Sequence, residues 1–245
     1  MMYCIIIPCF NHFSALPSLL TKLDAHDLPI VIIDDGSNES TKAALKSLKS
    51  QYESLSVVTH EHNQGKGGAV ISGLYYAKKH GFSHAIQVDA DGQHNLDDLS
   101  SLMELSKQYP TALVSGNPVY DDSIPKGRLY GRSITHFWVG VETLSLTKKD
   151  TMCGFRAYPV NACCQLFAKH QLGLRMDFDI EIMVRLCWQG VDVKFFDTKV
   201  IYPEDGVSHF QPFKDNVRIS WLHTRLVCGM LIRLPKLLMQ KAVWH

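Results

Sequence analysis

The chain reads as an α/β protein whose mostly parallel central sheet is covered by helices. Short β-branched apolar runs alternate with helical patterns through the first half. Polar, turn-forming clusters follow these runs at the ends where ligands bind in such sheets. Its 245 residues are 46% apolar, enough to bury a substantial core in one large domain, or in a domain with an appendage.

The elements follow in order. Residues 3–7 form a first strand, stopped by Pro8. A helix over 13–24 is predicted by Leu16, Leu19, Leu20 and Leu23 at helical spacing. Then come a strand at 30–33, a helix at 40–50, a strand at 55–59 and a helix at 68–79. A strand at 85–88, a helix at 96–108 and a strand at 112–115 complete the alternation, which implies right-handed βαβ units. The second half is less regular. A loop at 117–127 contains Pro118, Asp121, Asp122 and Pro125, and a helix follows over 129–146. Beyond the stretch Asp150-Thr151-Met152-Cys153-Gly154-Phe155-Arg156, helices are expected at 160–167 and 177–188, and strands at 191–196 and 199–202. A closing helical segment covers 213–243, bent at Pro235.

Composition narrows the function classes. A net charge of +1 gives no bulk attraction to nucleic acid, so no nucleic-acid partner is expected. Seven cysteines without a C-x-x-C pair argue against a zinc ribbon or a secreted disulfide framework and favour a reducing cytoplasm. The N-terminal apolar run, Cys4 to Ile7, is too short for a signal peptide. No stretch approaches the ~18–20 apolar residues of a spanning helix.

Asp89-Ala90-Asp91-Gly92-Gln93-His94 directly follows an apolar run. If the strand continues, alternate residues face one side, so Asp89 and Asp91 converge on a hard cation. With Gln93 as a polar amide, they suit Mg²⁺ or Mn²⁺, substrate phosphates completing the shell. Three more clusters share that sheet edge: Pro8-Cys9-Phe10-Asn11, Asp34-Asp35-Gly36-Ser37 and Asn63-Gln64-Gly65-Lys66-Gly67-Gly68. Any one alone reads as an ordinary βα turn. The third also has the makings of a phosphate cradle, with Lys66 adding charge. It does not match G-x-x-x-x-G-K-[ST], and no G-x-G-x-x-G follows the first strand. An ATP-hydrolysing P-loop and a nicotinamide dehydrogenase are thereby disfavoured.

Together with Cys153–Arg156, these motifs resemble the family-2 glycosyltransferases of GT-A fold, in particular the dolichyl-phosphate mannosyltransferase-like subgroup. The resemblance covers about residues 3–210. It implies a nucleotide-diphospho-sugar donor, a divalent metal (Mg²⁺ or Mn²⁺) and inverting transfer. It implies Asp34 and Asp35 near the nucleoside, and a donor site that includes Pro8, Phe10, Asn11, Lys66, Asp89 and Ala90. Asp89, Asp91 and Gln93 are implied at the metal, with Asp91 essential to catalysis. Asp179 and Glu181 match the family's acidic catalytic motif, and Glu181 is ranked first. Arg128 and Arg132, four apart on one helix face, correspond to phosphate-contacting basic residues. Arg156 and His209 are further candidates for phosphate or metal contact; the alternative for Arg156 is a pair with Asp150.

On this reading residues 1–210 form the transferase domain, with a nucleotide-sugar half at 1–116 and an acceptor half at 117–210. Residues 211–245 form an amphipathic helical segment, in which Lys214, Arg218, Arg225, Arg233 and Lys236 make one basic stripe beside a broad apolar surface. It is expected to lie on an anionic membrane surface, peripheral to the inner face of the cytoplasmic membrane, where the acceptor is a lipid or lipid phosphate. The alternatives are a helix packed on the domain, a soluble hydroxyl acceptor, a nucleotidyltransferase, or a nucleotide-binding regulatory domain without turnover.

Overall fold

The computed structural model describes residues 1–120, 126–145, 150–199 and 212–243. Among them are seven strands, β1 (Tyr3–Cys9), β2 (Ile30–Asp34), β3 (Leu55–Thr59), β4 (His84–Gln87), β5 (Leu113–Val119), β6 (Arg156–Pro159) and β7 (Val193–Lys199). Eight α-helices accompany them: α1 (Leu16–Asp24), α2 (Glu39–Lys49), α3 (Lys66–Lys79), α4 (Leu99–Gln108), α5 (Lys126–Glu142), α6 (Val160–Lys169), α7 (Phe178–Trp188) and α8 (Pro212–Val243).

The strands form one sheet in the order β3-β2-β1-β4-β6-β5-β7. All neighbours are parallel except at β6, which runs antiparallel to both β4 and β5. The sheet is covered on both faces because its strands alternate between two cores. Ile5 and Ile7 face α1, α2 and α4, whereas Cys4 and Ile6 face α3, α6 and α7. A third apolar cluster joins Val139 of α5, Ile180 and Val184 of α7, and Leu222 and Leu226 of α8.

The first-half elements match the sequence reading to within a few residues. The second half differs in three ways. β6 was not anticipated, since four residues between a polar motif and a helix carry no alternation signal. β7 runs from Val193 to Lys199, later than the strand expected at 191–196; the strand expected at 199–202 lies, beyond Lys199, outside the described residues. β5 runs to Val119, so the loop expected from 117 starts later and the division at 116/117 falls inside a strand.

α8 continues through Pro235 as one helix. No helix among the described residues is long and apolar enough to cross a membrane.

Candidate active site

The carboxyl ends of β1 to β4 gather the four motifs. At the end of β2, Asp34 is fully buried; its Oδ1 accepts the Ser37 amide at 3.0 Å, and its Oδ2 is buried without a hydrogen-bond partner. Asp35 holds the β3–α3 loop. Its Oδ1 meets His60 Nδ1 at 2.7 Å and the Gln64 amide at 2.9 Å, and its Oδ2 accepts Asn63 Nδ2 at 2.8 Å and the Gly65 amide at 2.7 Å. Gly65 has φ +100°, a conformation that favours glycine, and a side chain there would strike the Leu174 carbonyl. Asn11, at φ 51°, joins the first two motifs: its amide donates to Ser37 Oγ and its side chain accepts the Asn38 amide. Pro8 and Phe10 are half-buried at the end of β1 and just beyond it.

Asp89 lies two residues beyond β4, and the backbone from Asp89 to Gly92 turns, with Gly92 at φ +69°. The extended continuation expected from alternation is therefore absent, and Asp89 and Asp91 share a turn instead. Lys66 Nζ bridges Asp89 Oδ2 at 2.9 Å and Asp179 Oδ2 at 3.2 Å. Gln87 Nε2 donates to Asp89 Oδ1 at 2.9 Å, and its own amide oxygen accepts from Tyr158 at 3.0 Å. His94 stacks on Phe155, its Nε2 3.4 Å from Asp89 Oδ2. Gly154 leaves room for the Asp89 carboxylate, which a Cβ there would strike. Burial favours neutral forms, but the charges outweigh it: Asp89 and Asp179 push the Lys66 pKa up, and Lys66 holds Asp89 well below the carboxylate range. Asp91 is half-buried, its Oδ1 accepting the Gln93 amide at 3.0 Å; Ala90 is buried between the two aspartates.

α7 separates its two acidic residues. Positions two apart on a helix point to nearly opposite sides. Asp179 reaches Lys66, and its Oδ1 is buried without a hydrogen-bond partner. Glu181, fully buried, turns away: it accepts from the Gly173 amide at 2.7 Å and Arg185 Nε at 2.8 Å, with Arg225 3.6 Å distant. The sequence ranked Glu181 first; of the two, it is Asp179 that the structure sets against Lys66.

Arg156 is likewise turned inward. It is 0% exposed and donates to the Thr151 and Asp179 carbonyls at 2.7 Å and to Ser115 Oγ at 3.2 Å, which ties it to α7. It does not pair with Asp150. That carboxylate takes Arg132, along with Tyr120 at 3.0 Å and His136 at 3.7 Å. Burial alone would raise the Asp150 pKa, but the nearby His136 and the Arg132 charge outweigh it and hold the group below its ordinary range. The Arg128 side chain and His209 lie outside the described residues. Sequence reasoning missed the Asp150 cluster and the placement of His94, although both residues stood in motifs it quoted.

Among the described residues no three His, Cys, Asp or Glu side chains form a preformed metal cage. The donor set still fits a hard cation whose shell is completed by substrate phosphates. Asp89 and Asp91 offer carboxylate oxygens on one turn, and Lys66 keeps Asp89 in the ionised form that ligation requires.

Comparison with known proteins identifies the family. A sequence model of the family described as Glycosyl transferase family 2 matches residues 4–166. A dolichyl-phosphate beta-glucosyltransferase of Dictyostelium discoideum is 27% identical over 237 residues, covering 88% of this chain and 71% of that protein. An undecaprenyl-phosphate mannosyltransferase of Micrococcus luteus is 28% identical over 165 residues, covering 62% of this chain and 64% of that protein. Glucosyl-3-phosphoglycerate synthase from Mycobacterium tuberculosis, solved with Mn²⁺ and uridine-diphosphate-glucose, superposes with TM-score 0.65 at 13% identity, covering 95% of this chain and 78% of that one. That likeness establishes the fold, GT-A. The motifs, the fold and the family match lead to one conclusion: the chain belongs to glycosyl transferase family 2 and is a glycosyltransferase.

Proposed function

We propose that the chain transfers a sugar, with inversion and with a bound divalent cation, from a nucleotide-diphospho-sugar to a lipid-linked phosphate acceptor at a membrane surface. The observation that carries this reading is the bridge Asp89–Lys66–Asp179 beside Asp91 at the carboxyl end of β4. The names of the Dictyostelium and Micrococcus relatives support the acceptor class.

Asp89 and Asp91, with Gln93, would hold Mg²⁺ or Mn²⁺, which when bound neutralises charge on the departing nucleoside diphosphate. Lys66 adds a fixed cation beside that charge. Asp34 meets the nucleoside through its partnerless Oδ2, and Asp35 contributes by shaping the loop that opens α3. Arg156 and Lys66 fix Asp179 on the acceptor side. A phosphate acceptor is already anionic, so Asp179 orients it without having to remove a proton. Arg132, with Arg128 and His209, supplies positive charge for phosphate. Residues up to 116 serve mainly the donor and those from 117 to 210 the acceptor, across one shared sheet.

Membrane apposition draws on two helices. Ile219, Leu222, Leu226, Met230 and Leu237 dock α8 on the domain, while Phe213, Val217, Trp221, Ile232 and Met239 are exposed on its other side. α5 adds exposed Tyr130, Ile134 and Phe137. Aromatic and aliphatic exposure flanked by Lys214, Arg218 and Lys236 suits the interface of an anionic bilayer, here the inner face of the cytoplasmic membrane.

The test is a transfer assay with UDP-, GDP- and TDP-sugars, Mg²⁺ or Mn²⁺, and a short polyprenyl phosphate. Sugar should appear on the lipid phosphate and stop in EDTA. Transfer only to soluble hydroxyl acceptors would overturn the acceptor assignment, and release of pyrophosphate would point to a nucleotidyltransferase.

A further inference from the structure

At the far end of α7 from the active site lies a strongly basic cavity of about 170 Å³. Its lining includes Lys169 and His170 from the end of α6, Arg185 and Trp188 from the last turns of α7, and Arg233 and Lys236 from α8. No Asp or Glu lines it. Asp179 and Trp188 stand nine positions apart on α7, which at ~1.5 Å per residue is ~14 Å along the axis. The cavity is thus separate from the Asp89–Lys66–Asp179 bridge.

Basic residues at helix C-termini are ordinary complements to the helix dipole, and Lys169 and Arg185 fit that description. Arg233 and Lys236 do not, because they come from the body of α8. The cavity is also organised. The Arg233 guanidinium lies over the buried Trp188 ring at 4.8 Å, with the Arg185 guanidinium at 5.9 Å. Trp188 is itself fixed by its indole N–H donating to the Glu142 carbonyl at 2.8 Å. Glu181 offsets Arg185 from behind, which leaves Lys169, Arg233 and Lys236 as surplus positive charge. Burial first, and then the charges of Arg185, Arg233 and Lys169, push the His170 imidazole below its ordinary pKa.

We infer that this cavity between α6, α7 and α8 binds a phosphate group, through the Arg233 guanidinium stacked on Trp188 and the Lys169 and Lys236 ammoniums. Guanidinium forks match phosphate oxygens, lysines add point charge, and the volume suits a phosphate but not a nucleotide sugar. The phosphate belongs either to a lipid headgroup, which the exposed Ile232 and Met239, one turn from Lys236 on α8, favour, or to a small soluble compound. The inference does not depend on the glycosyl-transfer reading.

The test uses the intact chain and two charge-matched α8 variants, R233Q/K236Q inside the cavity and K214Q/R218Q outside it. Inorganic phosphate is titrated while the backbone amides of His170, Gln189 and Lys236 are followed by NMR, so that binding at the active site is read separately. Saturable shifts at those amides are expected in the wild type and in K214Q/R218Q, with affinity at least about tenfold weaker in R233Q/K236Q. K169Q, on a different helix, should weaken binding in the same direction. Flotation with phosphatidylcholine vesicles, with and without phosphatidic acid, distinguishes the sources. Extra retention by phosphatidic acid that R233Q/K236Q loses more than K214Q/R218Q identifies a headgroup; amide shifts without extra retention identify a soluble phosphate. Absence of saturable shifts at these amides together with no phosphatidic-acid-dependent retention overturns the inference, as does equal weakening in the two charge-matched pairs.

Discussion

At the level of single residues, one cation organises this site. Lys66 is the first residue of α3, yet it holds a carboxylate from the end of β4 and another from α7. The proposed roles of those carboxylates differ, and so do the expected variants. Asp91→Asn should lower turnover at least about 100-fold with an unchanged melting temperature, because Asp91 is half-buried on a turn and anchors no core; activity near wild type in EDTA would contradict it. Asp179→Asn should also act mainly on turnover. Glu181→Ala should act on stability, costing ~3 kcal/mol in denaturant unfolding, since a fully buried carboxylate leaves Arg185 and the Gly173 amide behind. If the Glu181 variant loses turnover at unchanged stability, the two faces of α7 have been assigned the wrong way round.

The Asp150 cluster makes a pH prediction. Its carboxylate is held below the ordinary range in the folded protein, so between that depressed value and the unfolded value of ~3.9 the unfolded chain binds more protons. The stabilisation is complete above ~pH 4 and fades as pH falls below it. Melting temperature followed from pH 6 downward, at ~1-unit steps, should drop less steeply in Asp150→Asn than in the wild type.

At the level of elements, close approach governs the site. Gly154 precedes β6 by two residues and faces the Asp89 carboxylate, so the reversed strand can pass beside the turn only without a side chain there. Gly154→Ala should push Asp89 away from Gln87 and Lys66. Turnover should fall ~10-fold or more while the fold persists, readable as reduced kcat with an unaltered circular dichroism spectrum. α8 has a comparable double constraint. Its buried stripe fixes it on α5 and α7, and Arg225 lies near the buried Glu181. Charge reversal at Arg225 would therefore unsettle the α7–α8 contact as well as any surface attraction.

At the level of the whole molecule, the exposed sides of α5 and α8 make the apolar surface that the membrane reading uses. Replacing Phe137, Trp221 and Ile232 by Ser should release the protein from anionic vesicles in a sedimentation assay at low and physiological salt alike, because apolar insertion is not screened by ions. Activity toward a water-soluble acceptor analogue should survive, since none of the three touches the Asp89 turn. Equal sedimentation of variant and wild type would place membrane contact elsewhere.

Local pattern was enough for the first half of the fold. Alternating apolar runs, the leucine spacing of α1, and glycine and aspartate clusters at strand ends are local signals, and they located β1 to β5, α1 to α4 and the edge where Asp34, Lys66, Asp89 and Asp91 collect. Tertiary structure decided what depends on distant partners. β6 is a strand only because β4 and β5 flank it. Arg156, Glu181 and Asp35 read as ligand-facing charges in one dimension, but their hydrogen bonds go to buried groups far away in sequence or across a loop. Burial and pairing are properties of three-dimensional neighbours, so a charge's role as contact or as scaffold emerges only when the chain has folded around it.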